Sequence, residues 1–597
     1  MTETTTSTTR TTPDGPAGRE AFVVLGLTLL AACLRFHAFG REGLTHFDEG
    51  VYALSGLWSI TPGGLAALDP EVIAYAPPGL PVLIGLAYAI LGVSDSAALF
   101  VTAACGVLTV PLAAWVARRT FGPGAGAAAA GFTALSLAHV AFSRKALTDA
   151  PFLLAWLLAL GLGGRFLERP RIGRAIAFGL AVGLAQNLKY NGWVAGAVVI
   201  VAALAGLAVE REARKPPAVA RTFGLGLIAV LAAALVYLPW YLFVESHGGY
   251  AALVKHHRSY MGGAASWLPH WRQQLAQVVA LSGGMIGGGA AWATSWIAAG
   301  FAVHGLRAFW PPSRWDGARF RLGLLIGAAA LATIPDLAWW VGLAWSGWLL
   351  ADRRASMRVL GAWWIVLSVM TPFYHPYARL WLPLHASGWI MLAGGVVTFG
   401  PFPGSALGEP DPSIIYRKKV LAQGAVALVC LVLATIHWGK ATPRALAIAD
   451  FFEPTDGVRV LAVELVSKSA FTNAPNSSLY VLARRPLVFY LAVQYRLQFK
   501  LLADEKGLAA DRLHGDDRAL VDGVQIGEGT TEGGRWKPID RRWTRLEVWD
   551  ARLDPVTRLD VNPEAPYELY PADPVRVILF APWSTSFPSI PPSDPSQ

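Results

Sequence analysis

Charged residues and cysteines are both scarce in this chain. Lys, Arg, Asp and Glu make up 15% of the 597 residues, against about 25% in a typical soluble domain. Hydrophobic residues account for 54%, and 61 glycines come in addition. This composition excludes a water-soluble globular enzyme and a disordered chain, and it indicates a polytopic α-helical membrane protein.

The cysteine count and the charge balance exclude two further classes. The three cysteines, Cys33, Cys105 and Cys430, lie inside apolar stretches without metal-ligand spacing, so neither a disulfide framework nor a metal site made of thiolates is expected. The formal net charge of +10 does not indicate nucleic-acid binding here, because the cytoplasmic loops of membrane proteins collect Lys and Arg. Membrane lipid is a predicted partner, and nucleic acid is not.

Three regions differ in composition. Residues 1–20 are Thr-rich and polar, which predicts a disordered cytoplasmic tail. Residues 21–438 form the predicted transmembrane domain, whose first helix at 21–36 is retained because no small-residue cleavage site follows it. Residues 439–597 have the composition of a soluble domain, predicted to be extracytoplasmic and mixed α/β or β-rich. Its expected strands lie at 458–465, 479–482, 487–490, 520–526, 546–549 and 575–580.

The hydropathy pattern predicts about thirteen transmembrane helices. After the first, the candidate spans lie near 97–117, 123–142, 150–165, 175–190, 192–209, 222–243, 276–305, 320–334, 337–351, 358–373, 379–399 and 420–438. The basic clusters between them all fall on the cytoplasmic side only if segment 78–93 is re-entrant and does not cross. This topology places the first loop, residues 143–149, 244–275 and 374–378, and the tail from about 440 on one outer face.

Two adjacent carboxylates, Asp48 and Glu49, lie in the first outer loop. Beside the bilayer they could supply a general base for an acceptor hydroxyl or amine, or bind a divalent cation. The alternative is an acidic pair at a helix N-terminus that satisfies free backbone amides. The residues alone leave both interpretations open.

A second outer cluster, at 143–149, contains Arg144, Lys145 and Asp149. The two cations could hold a phosphate, and Asp149 could orient them or a second group of the substrate. Alternatively, Thr148 or Asp149 caps the following helix while the cations reach the lipid headgroups.

Further cations and aromatic residues on the same face are candidates for binding an anionic substrate, because charges at membrane depth are costly. They are Lys189, the group of His375, Tyr377 and Arg379, and the pair of Lys255 and Arg258. Lys189 could instead be an interfacial anchor that reaches the lipid headgroups. Lys255 and Arg258 could instead lie on a solvated surface. The layout as a whole suits an enzyme that meets an anionic lipid-linked substrate at the membrane surface.

An ordered set of motifs carries a resemblance to a known family. In chain order the motifs are FDEGVYAL, YAPPGLPVLIGLAYAILG, VARRTFG, SRKALTD, NLKYNG and HPYARLWLPL. Over roughly residues 22–400 the chain resembles the multi-spanning, polyprenyl-phosphate-sugar-dependent glycosyltransferases. It is most similar to glycosyltransferase family 39, which includes the protein O-mannosyltransferases and the aminoarabinose transferases.

The resemblance implies a glycosyltransferase C-type fold in the cytoplasmic membrane and transfer of a monosaccharide from a polyprenyl-phosphate donor to an envelope acceptor, as in protein glycosylation. It implies that Asp48 is the base, with Glu49 beside it, and that Arg144 and Asp149 belong to the second outer motif. Lys189 and the group of His375, Tyr377 and Arg379 would contact the donor phosphate. Asp149 is also a predicted catalytic residue, and the further predicted substrate contacts are Tyr75, Lys145, Lys255 and Arg258. The sequence departs from the family at Ala76 and Gly79, where Lys or His and Leu are usual.

Two rival functions use the same outer-face cations. The first is a transporter or flippase of an anionic lipid-linked substrate, although no two-fold internal repeat typical of transporters is visible. The second is a ligase or polymerase that uses a diphosphate-linked oligosaccharide. The sequence identifies neither the sugar nor the acceptor.

Overall fold

The computed structural model describes a large part of the membrane domain and shorter stretches beyond it. The described residues are 16–61, 77–210, 212–258, 260–273, 346–347, 349–398, 457–467, 479–482, 485–496, 499–501, 518–522, 543–551 and 575–582. Several predictions lie outside them: Tyr75, nearly all of the N-terminal tail, the spans near 276–305, 320–334 and 420–438, and most of the span near 337–351.

Thirteen α-helices are described over their full length between residues 16 and 398. They are α1 Pro16–Phe36, α2 Phe47–Ile60, α3 Gly79–Leu91, α4 Asp95–Phe121, α5 Ala125–Leu135, α6 Leu137–Ser143, α7 Asp149–Glu168, α8 Ile172–Leu188, α9 Val194–Val209, α10 Pro216–Ser246, α11 Gly249–Arg258, α12 Ala355–Met370 and α13 Leu382–Thr398. Leu, Val and Ala are frequent in them, and few charges interrupt them, as expected of helices that face lipid or one another.

Five of the described helices are long and apolar enough to cross a membrane. They are Gly18–Arg41, Asp95–Phe121, Asp149–Glu168, Pro216–Ser246 and Ala355–Phe373. Helix α3 has 13 residues and a length of about 20 Å at 1.5 Å per residue, which is short of the roughly 30 Å hydrocarbon core. The re-entrant character of segment 78–93 and the total of about thirteen spans both stay predictions.

The predicted span at 123–142 is wrong in one respect, because it is two helices that meet at Ser136. The buried guanidinium of Arg35 donates hydrogen bonds to the carbonyls of Thr133 and Ala134, at the end of α5. Ser136 then caps α6 by accepting the backbone N–H of His139. The break leaves no orphaned helix-end carbonyl at these two positions, since a cation satisfies them.

The C-terminal region contains helices α14 Gly457–Ser467 and α15 Arg485–Phe489 and five strands. The strands are β1 Leu479–Leu482, β2 Lys500–Leu501, β3 Arg518–Asp522, β4 Trp543–Ala551 and β5 Val575–Pro582. They form one mixed sheet in the order β2-β1-β3-β5-β4. Strand β1 is parallel to β2 and β3, and β5 is antiparallel to β3 and β4.

Two of the six predicted strands are wrong. Residues 458–465 lie in α14, where Val458, Leu461, Ala462 and Leu465 are buried. This i, i+3, i+4, i+7 spacing of the buried side chains is helical, whereas the frequent valines of the segment favour a strand. Residues 487–490 belong to α15 and to the helical turn after it, and all four side chains are buried. Four consecutive apolar residues show neither the helical nor the strand period of hydrophobicity, so the sequence does not distinguish the two. The predicted strands at 479–482, 546–549 and 575–580 are confirmed within the sheet, and the one at 520–526 is confirmed as far as Asp522, beyond which its residues lie outside the described ones.

One continuous hydrophobic core joins the membrane helices to the C-terminal region. Its buried side chains include Leu44 and Tyr52 near and in α2, Leu461 of α14, and Leu487 of α15. Helices α14 and α15 therefore pack against the end of the helix bundle where α2 begins. This end carries most of the candidate site residues.

Candidate functional site

The start of α2 is fixed by a capping box. The His46 side chain accepts the backbone N–H of Asp48 at 3.0 Å. Glu49 Oε2 accepts the backbone N–H groups of Thr45 and His46, each at 2.9 Å. Such reciprocal caps satisfy helix-end donors that would otherwise lack partners. The alternative interpretation of the acidic pair, as an N-terminal cap, therefore holds for Glu49.

Glu49 also joins α2 to the loop before α7. Its second oxygen, Oε1, accepts the backbone N–H of Ala146 at 2.8 Å, and its side chain is fully buried. In the same loop the Lys145 ammonium donates to the Thr45 hydroxyl at 3.2 Å. The two motifs that contain Asp48 and Lys145 thus form one structural unit.

Asp48 has a different role from its neighbour. Its Oδ2 accepts a hydrogen bond from the Arg379 guanidinium at 2.8 Å, and the two side chains are 9% and 13% exposed. The guanidinium also lies 5.2 Å from the centre of the Tyr377 ring, within the range of a cation–π interaction. Arg379 lies in the short 3₁₀ turn Ala378–Trp381 that leads into α13, so this pair connects two distant parts of the chain.

A second ion pair joins Asp149 and Lys189. The ammonium of Lys189, directly after α8, lies 2.6 Å from Asp149 Oδ1 and 5.8 Å from the centre of the Phe152 ring. The Asp149 side chain is 1% exposed and that of Lys189 21%. Asp149 Oδ2 is buried without a hydrogen-bond partner among the described residues. A buried carboxylate with one oxygen unpaired is costly unless a ligand completes it.

Tyr52 lies between the two ion pairs. It is one turn beyond Asp48 on α2, and its hydroxyl is close enough to Asp48, Arg379 and Asp149 for the charge of each to act on it. Burial, and secondarily the negative charge of Asp48, raises the pKa of Tyr52. The hydroxyl therefore keeps its proton at neutral pH, and the two carboxylates share one neutral polar neighbour.

An aromatic group borders the Asp48–Arg379 pair. The backbone N–H of His375 donates to the Tyr260 carbonyl at 2.8 Å, which fastens the loop after α11 to the loop before α13. The Tyr260 and Tyr374 rings stack at 6.0 Å, and the His375 and Tyr377 rings lie 4.8 Å apart. Burial raises the pKa of Tyr374 to about 12, so this phenol also stays neutral.

Arg144 lies apart from these pairs and is buried. Its guanidinium donates to the carbonyls of Leu34, Arg35 and His37 and forms a buried ion pair with Glu42. These contacts tie the end of α1 and the first loop to the loop before α7. Sequence reasoning missed Glu42, although a carboxylate six residues before Asp48 in an outer loop was visible.

Two other predicted contacts are exposed. Lys255 and Arg258 lie in the last turns of α11 with exposed side chains. The ring of His257, on the same helix, contacts the Tyr190 ring edge-on at 5.4 Å. The end of α11 is therefore close to the residue that follows Lys189.

The acidic pair does not fit a divalent cation in this arrangement. Both oxygens of Glu49 accept backbone N–H groups, and Asp48 Oδ2 faces a guanidinium. A divalent metal site needs several oxygen or nitrogen ligands that converge on one point. Within the described residues, no group of three or more His, Cys, Asp or Glu is arranged to hold a metal.

Residues 75–255 match a protein-family profile described as dolichyl-phosphate-mannose-protein mannosyltransferase. This range includes the Pro-Pro segment, the loop with Lys145 and Asp149, and Lys189. A search of curated proteins finds no match to the chain.

Solved structures provide a second comparison. ArnT from Cupriavidus metallidurans bound to undecaprenyl phosphate is 14% identical, with a TM-score of 0.51 over 95% of this chain and 99% of ArnT. The archaeal oligosaccharyltransferase AglB from Archaeoglobus fulgidus, in complex with an inhibitory peptide and a dolichol-phosphate, is 14% identical with a TM-score of 0.44. That alignment covers 79% of this chain and 63% of AglB.

The shared fold with ArnT extends over nearly the whole chain and includes the apolar helices of an integral membrane protein. The family match lies within the region of the sequence motifs. The chain thus resembles the polyprenyl-phosphate-sugar-dependent glycosyltransferases, as its sequence predicted, and the predicted enzyme class, a glycosyltransferase, is confirmed.

Proposed function

We propose that the protein transfers a monosaccharide from a polyprenyl-phosphate donor to an envelope acceptor at the outer face of the cytoplasmic membrane. The observation that carries the proposal is the pair of Asp48 and Arg379, 2.8 Å apart at the end of the helix bundle. It combines a carboxylate suited to accept a proton with a cation suited to bind a phosphate. The undecaprenyl phosphate in the ArnT structure supports this class of donor lipid.

In the proposed reaction Asp48 is the general base. It takes the proton of the acceptor hydroxyl or amine while the acceptor atom forms a bond to the anomeric carbon of the sugar. The bond between that carbon and the phosphate oxygen breaks, and its electron pair leaves with the polyprenyl phosphate. Inversion at the anomeric carbon follows from attack opposite the leaving group.

Cations near Asp48 stabilise the negative charge that develops on the departing phosphate. A guanidinium has five N–H donors in a planar fork, so Arg379 can contact Asp48 and a phosphate oxygen together. Lys189, held by Asp149, supplies a second positive charge, and the aromatic pair of His375 and Tyr377 borders the same space. Tyr75, Lys145, Lys255 and Arg258 remain proposed substrate contacts.

Glu49 and Arg144 have positioning roles in this proposal. The four hydrogen bonds that Glu49 accepts hold the first turn of α2 and the loop before α7 together. The buried pair of Arg144 and Glu42 fastens the preceding loop. Neither side chain needs to touch substrate in order to be essential for the geometry.

The experiment measures release of free polyprenyl phosphate by the purified protein in lipid nanodiscs. A panel of polyprenyl-phosphate sugars and envelope extracts supplies donors and acceptors. We expect Asp48→Asn to lower the release rate by about 10²- to 10⁴-fold, the usual contribution of a general base, and to retain binding of radiolabelled donor. Asp352→Asn removes a carboxylate paired with Arg354 far from this site and is the matched control.

Three results would contradict the proposal. Release by Asp48→Asn at the wild-type rate would exclude Asp48 as the base. Release of polyprenyl diphosphate from a diphosphate-linked donor would favour a ligase or polymerase, and movement of intact donor lipid without sugar transfer would favour a flippase.

A further inference from the structure

The hydroxyl of Tyr490 connects the C-terminal region to the membrane domain. It accepts the backbone N–H of Leu44 at 2.8 Å and donates to Asp95 Oδ2 at 2.9 Å. Tyr490 is fully buried, and burial together with the Asp95 carboxylate raises the pKa of Tyr490. The phenol therefore stays protonated and can keep both hydrogen bonds.

Arg459 makes a second connection at the same place. Its guanidinium donates to Asp95 Oδ2 at 3.0 Å and to the Gly40 carbonyl at 2.9 Å. Asp95 is 6% exposed, so its charge is compensated mainly by groups of the C-terminal region. Tyr490, Arg459 and Asp95 are called the outer joint below.

The C-terminal region contacts the chain on both sides of Asp48, the candidate base. Leu44, held by Tyr490, is two residues before the N-cap of α2. On the other side of Asp48, Gly50 packs so tightly that an added Cβ would lie 2.2 Å from backbone atoms of Arg485 and Pro486. Asp48 is therefore fixed between two points of contact with one short segment, 485–490.

We infer that this segment, through the outer joint, holds the start of α2 in the geometry in which Asp48 accepts a proton. Tyr490 is then a positioning residue: it acts through the Leu44 backbone and does not touch substrate. This inference rests on the proposed function for its activity readout, but the contact itself can be measured without substrate.

The first variant is Tyr490→Phe, which keeps the ring in the core and removes only the hydroxyl. Its matched control is Tyr495→Phe, a phenol five residues further along the chain that packs against the same core and has no hydrogen bond to its hydroxyl within the described residues. In nanodiscs, we measure kcat, donor KM, thermal unfolding and hydrogen–deuterium exchange of residues 42–50.

We expect Tyr490→Phe to lower kcat about tenfold, to leave donor KM within twofold, and to raise amide exchange at residues 42–50. Tyr495→Phe should match the wild type in all of these measurements. A purely structural role would lower thermal stability without this separation of kcat from KM. Wild-type kcat and wild-type exchange in Tyr490→Phe would overturn the inference.

A second variant tests the other point of contact. Gly50→Ala must displace the backbone at Arg485 and Pro486, and it should reproduce the loss of kcat and the faster exchange. Gly224→Ala, at a position of α10 with no atom within 4 Å of the new Cβ, should have neither effect. Normal exchange at residues 42–50 in Gly50→Ala would count against the inference.

The two proposals can fail separately. If the wild-type protein releases no polyprenyl phosphate from any donor, the proposed function falls, and exchange at residues 42–50 still decides whether the outer joint holds α2. If transfer occurs but exchange and kcat do not respond to Tyr490→Phe, only the positioning role falls.

Discussion

Asp48 and Arg379 are 331 residues apart in the chain, and their side chains meet at 2.8 Å. The carboxylate begins a helix of the first loop, and the guanidinium lies in the turn before α13. Neither side chain is fully buried, so the pair stays accessible to a substrate while it is shielded from bulk water. This shielding strengthens its electrostatic interaction with any anion that binds beside it.

Arg379→Gln removes the proposed phosphate contact and retains a polar side chain. A hydrogen bond to a charged group contributes about 1.5–3 kcal/mol, so we expect kcat/KM for the donor to fall about 10- to 100-fold. Steady-state kinetics with a fixed acceptor concentration measures the change. Arg354→Gln, which breaks an exposed pair with Asp352, should leave kcat/KM unchanged, and an unchanged value in Arg379→Gln would exclude a role in donor binding.

The pair of Asp149 and Lys189 is suited to a double-mutant cycle. Because Lys189 is 2.6 Å from Asp149, each single variant, Asp149→Asn or Lys189→Met, already breaks the interaction. We expect the double variant to lose less activity than the product of the two single losses, by about tenfold or more. The pair of Arg119 and Glu168 is the control, and its variants should leave activity unchanged. Independent effects at Asp149 and Lys189 would mean that they do not act together.

Glu42→Gln leaves the buried Arg144 guanidinium without its carboxylate. Removal of one partner of a buried ion pair costs about 3–5 kcal/mol, so we expect a clear loss of stability in thermal unfolding of the protein in nanodiscs. The control is Glu212→Gln, which breaks an exposed ion pair with Lys215. Such a pair contributes only about 0–1 kcal/mol to the free energy of unfolding. Equal stability of the two variants would show that the Arg144 contacts do not hold the first loop.

The helices and the motifs could be predicted from the sequence because they depend on local signals. Hydropathy alone identifies α4 and α10, and the positive-inside rule predicts that the short α3 does not cross the membrane. The choice between a base and a cap for the acidic pair could not be made in this way. Asp48 and Glu49 are neighbours in the chain, and only the positions of Arg379 and Ala146 give them different roles.

Other features depend on partners far away in the chain. Arg144 has the same local pattern as a phosphate-binding arginine, and its pairing with Glu42 requires that α1 and α6 come together. The break at Ser136 depends on Arg35 of another helix. In α14, valines favour a strand locally, whereas packing of one face against the core selects a helix.

The hydrogen bond between Asp95 and Tyr490 spans 395 residues, and this separation sets an order of assembly. A ribosome that has finished α4 at Phe121 must still reach Tyr490 before the phenol can contact the Asp95 carboxylate. The described membrane helices up to α13 precede Tyr490 in the chain, and until Tyr490 is made the loop with Asp48 lacks its hydrogen bond to the Leu44 backbone. A chain that stops before Tyr490 therefore lacks the contact that we infer to hold Asp48 in place.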